Sequence, residues 1–144
     1  MTYRTIGPAD LESVAAFYMD YYNRYEDGCW TAETALRRIR PICTREDACC
    51  ILGEEDGRIV CVVLGWFTQY DDLLAYDLHE IVVAKDAQGR GVGTRLMQET
   101  ERRVREAGTS MIQLTAVNDE MHEHFYTKLG FYTPNNLILK AKQL

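Results

Sequence analysis

Three glycines fall within five residues at Gly89, Gly91 and Gly93, inside the stretch Ile81-Val82-Val83-Ala84-Lys85-Asp86-Ala87-Gln88-Gly89-Arg90-Gly91-Val92-Gly93-Thr94-Arg95-Leu96. A β-branched apolar run precedes them. A helical pattern follows, with Val92, Leu96, Met97, Thr100 and Val104 on one face. A strand that turns within a few residues into a helix points to an α/β fold. Glycine at well above its usual ~7% implies a backbone requirement, either unusual φ values or close approach of another group. Unpaired N–H groups at the helix start, with the positive end of its dipole, make an anion such as a pyrophosphate the best-matched visitor.

Spacing excludes two phosphate motifs. The Walker pattern needs Gly-Lys-Ser/Thr, and no glycine here precedes a lysine. The dinucleotide fingerprint needs a third glycine where Leu96 stands, and no acidic residue lies near position 113 to meet a ribose.

The chain has 144 residues, 47% hydrophobic and 26% charged, which suits one ordinary globular domain over 1–144. Its net charge of −6 disfavours nucleic acid as a partner. The longest apolar run, Ile59 to Phe67, is about half of the ~20 residues that cross a bilayer, so no membrane is expected. The start MTYRTIGPAD lacks signal-peptide character, which points to the cytoplasm. Cys29, Cys43, Cys49, Cys50 and Cys61 are odd in number without CxxC spacing and read as reduced thiols. His122 and His124 diverge on a helix, so no metal is expected.

The pattern alternates strands and helices without a linker or repeat. A strand at Tyr3–Ile6 leads to a helix from about Ala9 to Tyr22. A second helix, capped by Thr31, is expected to stop at Pro41. Strands Ala48–Gly53 and Ile59–Gln69 flank a hairpin turn at Asp56-Gly57, and a third strand covers Ala75–Ala84. The post-glycine helix ends at Gly108, supported by the pairs Glu99–Arg103 and Glu101–Arg105. Met111–Val117 reads as a strand and Asp119–Leu129 as a helix. Phe131–Leu139 reads as a bent strand pair around Pro134-Asn135-Asn136. The expected order is βααβββαβαβ, a mixed, mainly antiparallel central sheet flanked by helices.

The loop Gln88-Gly89-Arg90-Gly91-Val92-Gly93, with the preceding strand and the closing His124-Phe125-Tyr126-Thr127-Lys128-Leu129-Gly130-Phe131, resembles the GNAT superfamily of acyl-CoA-dependent N-acyltransferases. The resemblance covers about residues 48 to 140, and the first 45 match only in kind. It implies acetyl-CoA as cofactor. The backbone N–H groups of Gln88, Gly89, Arg90, Gly91, Val92, Gly93 and Thr94 would cradle its pyrophosphate, and the backbone of Ile81, Val82 and Val83 would pair with its pantetheine arm. Tyr126 stands where the family often has a tyrosine that protonates the leaving thiolate, and a phenol of pKa near 10 suits that task. Asp119 and His122 occupy positions where family members commonly have Asn and Ala. Asn118, one step early, would by the same resemblance be the corresponding cofactor contact.

An acceptor ammonium must lose a proton before it attacks a thioester. At pH 7 that costs about 4.6 kcal/mol for a pKa of ~10.4. A base lowers this barrier, and the resemblance puts it on the strand before the loop, where Asp77, His79 and Glu80 are candidates. Glu80 has the offset of a frequent family carboxylate. His79 faces away on a regular strand, but a bulge could exchange the two. The developing oxyanion would meet the N–H of Val82 or Val83.

The acceptor is expected between the helical pair and the sheet, near Tyr21, Tyr22, Tyr25, Glu26, Asp27, Trp30, Asp71 and Asp72. Aromatic faces and carboxylates suit a cation; equally, the tyrosines finish a helix face and the acids are turn residues. The pattern is similar to aminoglycoside 6′-type members, which implies direct transfer to a small polycationic amine. A protein amine as acceptor and a non-catalytic acyl-CoA-binding module are the alternatives. A homodimer is the commonest assembly for such a chain. Residues 1–84 carry a net charge of −8 and residues 85–144 a net of +2, which fits a cationic acceptor on the first part and a phosphate-bearing cofactor on the second.

Overall fold

The computed structural model describes all 144 residues. They form two compact units, residues 1–114 and 115–144. The first contains β1 (Thr2–Thr5), α1 (Leu11–Tyr25), α2 (Ala32–Cys43), β2 (Ile51–Glu55), β3 (Arg58–Gln69), β4 (Leu74–Val83), α3 (Val92–Glu106) and β5 (Met111–Leu114). The five strands lie in the order β1-β2-β3-β4-β5. The first three pairings are antiparallel, and β4 with β5 is parallel. This is the mixed, mainly antiparallel sheet flanked by helices that the pattern implied.

Leu11, Val14, Ala15 and Tyr18 form the buried stripe of α1, at the spacing that places them on one face. They pack with Ala35, Ile39 and Ile42 of α2 against Leu52, Val62, Leu64 and Val82 of the sheet. The buried stripe ends at Tyr18, but α1 runs on to Tyr25, one turn beyond the expected end, where the Glu26 N–H bonds the Tyr22 carbonyl at 3.0 Å. Thr31 caps α2 as expected, its hydroxyl accepting the Thr34 N–H at 3.1 Å. The helix does not stop at Pro41, which lies inside it. Proline this close to the C-terminus removes one hydrogen bond. Ile39 and Ile42, both buried, hold the turn around it, and Thr44 sends its N–H (3.0 Å) and its hydroxyl (2.8 Å) to the Arg40 carbonyl.

The hairpin between β2 and β3 turns at Asp56 (φ 50°) and Gly57 (φ 74°), the left-handed pair that an Asp-Gly turn supplies. β2 begins at Ile51, later than expected, because Ala48 makes only an isolated bridge to Trp66. α3 buries Val92, Leu96, Met97, Thr100 and Val104, and Gly108 (φ 94°) ends it. β5 stops at Leu114 rather than Val117, where its pairing with β4 ends at Leu78.

In the second unit, Asp119 caps α4 (Glu120–Lys128) by accepting the His122 N–H at 2.8 Å. The helix closes at Gly130, and the Phe131 N–H returns to the Tyr126 carbonyl at 3.0 Å. The expected strand pair over Phe131–Leu139 does not form, so the observed order lacks the final strand of βααβββαβαβ. Leu137, Ile138 and Leu139 are 68–80% exposed. A strand exists only with a neighbour to complete its ladder, and the segment has none.

Gly65 of β3 is fixed by close approach. A Cβ there would sit against the Asp77 carbonyl oxygen and within 2.6 Å of the Tyr76 ring and hydroxyl, beside the irregular step between β3 and β4. Gly65→Ala should therefore destabilise the fold by about 2 to 3 kcal/mol through overpacking against backbone, read as a lower denaturant midpoint with unchanged m-value. An unaltered midpoint would contradict this packing.

Candidate active site

The register between β3 and β4 slips once, because Leu64 faces Glu80 while Gly65 faces Leu78. His79 is the extra residue of a β-bulge. On a regular strand His79 and Glu80 would lie on opposite faces; here the bulge turns both toward α1 and α2. Glu80 meets Tyr18, Tyr22 and Arg38, and His79 stacks on Trp66, which packs against the same core cluster.

The two oxygens of Glu80 are treated differently. Oε1 accepts from the Tyr18 hydroxyl at 3.1 Å and from Arg38 Nε and Nη2 at 3.1 and 2.8 Å. Oε2 has only the Tyr22 hydroxyl at 3.5 Å. Three donors fix one oxygen and leave the other with lone pairs for a proton or a water. The carboxylate is 11% exposed, and Arg38 above it is 41% exposed. Burial, with the Glu80 charge added, pushes the Tyr18 phenol up to about 12 and moves Tyr22 upward as well, so both hydroxyls stay protonated as donors.

His79 lies with its ring 3.6 Å from Trp66, nearly parallel, while the Arg45 guanidinium covers Trp66 at 4.1 Å. Burial first, and then the Arg38 charge, hold the imidazole below its ordinary pKa. Asp77 is committed elsewhere. Thr68 donates to one of its oxygens and Gln113 Nε2 to the other at 2.7 Å.

The bulge also coincides with the end of β5. Pairing of β4 with β5 stops at Leu78, so residues 79–83 have β3 on one side and an open edge on the other. The Ala84 N–H donates to the Val60 carbonyl at 2.8 Å. Alternation of hydrogen-bonded pairs then commits Val82 to Val62 and aims the main-chain groups of Ile81 and Val83 at the open edge. Of the two N–H groups expected to face an oxyanion, only that of Val83 points there, joined by Ile81.

The same edge leads into the glycine loop. Gly89 (φ 73°) and Gly91 (φ 72°) adopt left-handed conformations that L side chains resist, and Gly91 is the N-cap of α3. No side chain caps this helix and its first turn, Val92, Gly93 and Thr94 included, has no acid. Gln88 Nε2 donates to the Val83 carbonyl at 3.1 Å and to the Tyr21 hydroxyl at 3.0 Å, tying the loop to β4 and α1. Arg90 reaches Glu55 at 3.4 Å. An uncapped helix start beside an open strand edge fits an extended ligand ending in phosphates.

The structure assembles only part of the expected acceptor wall. Tyr22 and Trp30 join Glu80 through Tyr18, whose ring is 4.6 Å from Tyr22 and 5.1 Å from Trp30. Tyr25 is 47% exposed and lies under Lys85 at 5.6 Å. Glu26 is the exposed residue that ends α1. Asp72 lies in the β3–β4 turn, and β4 runs six residues, roughly 20 Å at ~3.3 Å each, from its first residue Leu74 to Glu80. Arg38 and Tyr18, both in contact with Glu80, carry no sequence signal of that role, since the Arg38–Glu80 pair spans 42 positions. In the second unit, Asn118 is exposed ahead of α4. Tyr126 is half-buried, edge-on to Phe125 at 5.1 Å and to Phe131 at 5.4 Å.

The acetyltransferase (GNAT) family model matches residues 11–131. An uncharacterized N-acetyltransferase of Methanocaldococcus jannaschii is 25% identical over 142 residues, a match that covers 90% of this chain and 60% of the relative. The chain thus spans about three fifths of that relative's length. A transcriptional regulator from Bacillus halodurans superposes with a TM-score of 0.79 at 22% identity, covering 99% of each chain. An aminoglycoside N-acetyltransferase solved in complex with CoA superposes with a TM-score of 0.78 at 14% identity, covering 99% of this chain and 95% of that one. These likenesses speak to the fold.

The His79 environment sets a pH dependence. Folding favours the neutral ring, so its contribution to stability is full above about pH 6.5 and is lost as the pH falls toward the lower folded-state value. In an NMR titration His79 should titrate below 6.5, and Trp66→Ala, which opens the ring to water, should move it back up. A wild-type value at or above 6.5 would contradict the stacking environment.

Proposed function

The chain belongs to the GNAT acetyltransferase family, and on that premise we propose that it is an N-acetyltransferase, moving acetyl from acetyl-CoA directly to a primary amine of a small molecule, with residues 1–144 acting as one N-acetyltransferase domain. One observation carries the reading. The β4 bulge sets the Glu80 carboxylate, with one oxygen unfilled, beside an open strand edge that runs into the uncapped start of α3.

Acetyl-CoA supplies the activated acyl group as a thioester. The main-chain groups of Ile81 and Val83 hold its arm along the β4 edge, and the N–H groups from Gln88 to Thr94 hold its phosphates. Hydrogen bonds of this kind are made by backbone, so the side chains along the edge are interchangeable. The Val83 or Ile81 N–H meets negative charge developing on the acyl oxygen.

Glu80 Oε2 takes the proton from the acceptor ammonium, directly or through one water, while Arg38 and Tyr18 hold Oε1 in place. Neutral His79, one residue away on the same face, is the alternative base. Tyr126, by its place in the closing motif, is the proposed donor of a proton to the departing thiolate.

The test is thiol release from acetyl-CoA across aminoglycosides, polyamines, amino acids and peptides. Wild type should turn over at least one class. Glu80→Gln should lower kcat at pH 7 by about 10²- to 10³-fold with little change in the KM for acetyl-CoA. Retained activity in this variant would transfer the base role to His79. Tight CoA binding with no release from any amine would overturn the transferase reading in favour of an acyl-CoA-binding module.

A further inference from the structure

We propose that Arg38 selects the acceptor, and that the acceptor is an amine with a carboxylate a few bonds from its nitrogen. This rests on the acetyl-transfer reading of Glu80 and narrows its substrate class.

The geometry of the guanidinium carries the argument. Arg38 uses Nε and Nη2 on the single oxygen Oε1 of Glu80, at 3.1 and 2.8 Å. A guanidinium has five N–H donors in a rigid fork. Glu80 and the neighbouring Tyr18 hydroxyl are its partners and account for at most three of them. At least two N–H donors of this half-exposed group are therefore left for a ligand. A carboxylate matches that fork in shape and charge, and the remaining edge can take both of its oxygens.

Charge balance agrees. Glu80 is the deeper member of the pair at 11% exposure and Arg38 the outer one at 41%, so an incoming ligand meets the cation first. The pair has no net charge to attract a polycation. Lys85 adds a second cation over Tyr25, and neither Glu26 nor Asp72 forms an ion pair with either cation. An amine that carries its own carboxylate solves both problems. Its ammonium addresses Glu80 Oε2 and its carboxylate addresses Arg38. Tyr22, whose hydroxyl lies 3.5 Å from Oε2, marks where the two meet. Once the proton has passed to Oε2, the acceptor is a neutral amine with its carboxylate still anchored, and Arg38 keeps a counter-charge throughout.

Two sources share this chemistry: a free α-amino acid, and a peptide whose first residue has an acidic side chain. The experiment measures kcat/KM for thiol release with glycine against glycinamide, with glutamyl- against glutaminyl-peptide amides, and with spermidine. Calorimetric titration of succinate, a carboxylate without an amine, runs alongside. Each carboxylate-bearing amine of the favoured source should exceed its amide twin by about 10- to 100-fold, the range of a charge-assisted bidentate contact. Arg38→Lys keeps a cation on Oε1 but loses the fork, and should reduce the preference to a few-fold. Arg38→Met should abolish it, chiefly through KM, together with succinate binding. Preference in the first pair alone identifies the amino acid, and preference in the second alone identifies the peptide. Equal use of the twins, a faster reaction with spermidine, or a preference that survives Arg38→Met overturns the proposal while leaving the transferase reading intact. Succinate binding that depends on Arg38, without turnover of any amine, keeps the carboxylate site and removes the transferase reading instead.

Discussion

One extra residue in β4 organises this molecule. By inserting His79 into the ladder between Leu64–Glu80 and Gly65–Leu78, the chain ends the pairing of β4 with β5 and turns two successive side chains to the same face. A bulge costs ladder regularity, and two neighbours stabilise it here. Gly65 lets the Asp77 carbonyl approach where any Cβ would intrude, and Trp66 stacks on the displaced His79. The open edge at Ile81 and Val83, the imidazole stacked on Trp66 and the buried carboxylate all follow from the same slip.

The second constraint is electrostatic. Glu80 lies largely out of water, where a carboxylate needs donors, and α1 and α2 supply them through Tyr18 and Arg38. Several acids of residues 1–84 are paired with arginines of the same stretch, which leaves its net charge of −8 unchanged but fixes where those carboxylates face. Arg4 bonds Asp10 and Glu54, Arg24 bonds Asp20, Arg37 bonds Glu33, and Arg45 bonds Asp47. Net charge along the chain therefore says little about which charge faces a ligand, and the cation beside Glu80 changes what that site can receive.

Local chemistry was legible in the sequence. The Asp-Gly hairpin, the Thr31 cap, the apolar face of α3 and its left-handed glycines each follow from residues close together in the chain. What the pattern hid was set by distant partners. Pro41 sits inside α2 because Ile39 and Ile42 are anchored in the core. The apolar run Leu137–Leu139 is no strand because it has no ladder to join. Glu80 could be singled out by its offset from the glycine loop, but which oxygen is held, and by whom, depends on helices 42 and 62 positions away. The bulge was visible only as an option, since a slip of register leaves no mark on composition.

The central claim is that the bulge creates a strand edge whose Ile81 and Val83 amides hold the acyl donor. Amide hydrogen exchange, residue by residue with and without saturating CoA, tests it most directly. Ile81 and Val83 should exchange quickly alone and at least about tenfold more slowly with CoA, while Val82, already bonded to Val62, should be slow in both conditions. CoA bound at saturation with exchange at Ile81 and Val83 unchanged would contradict the account.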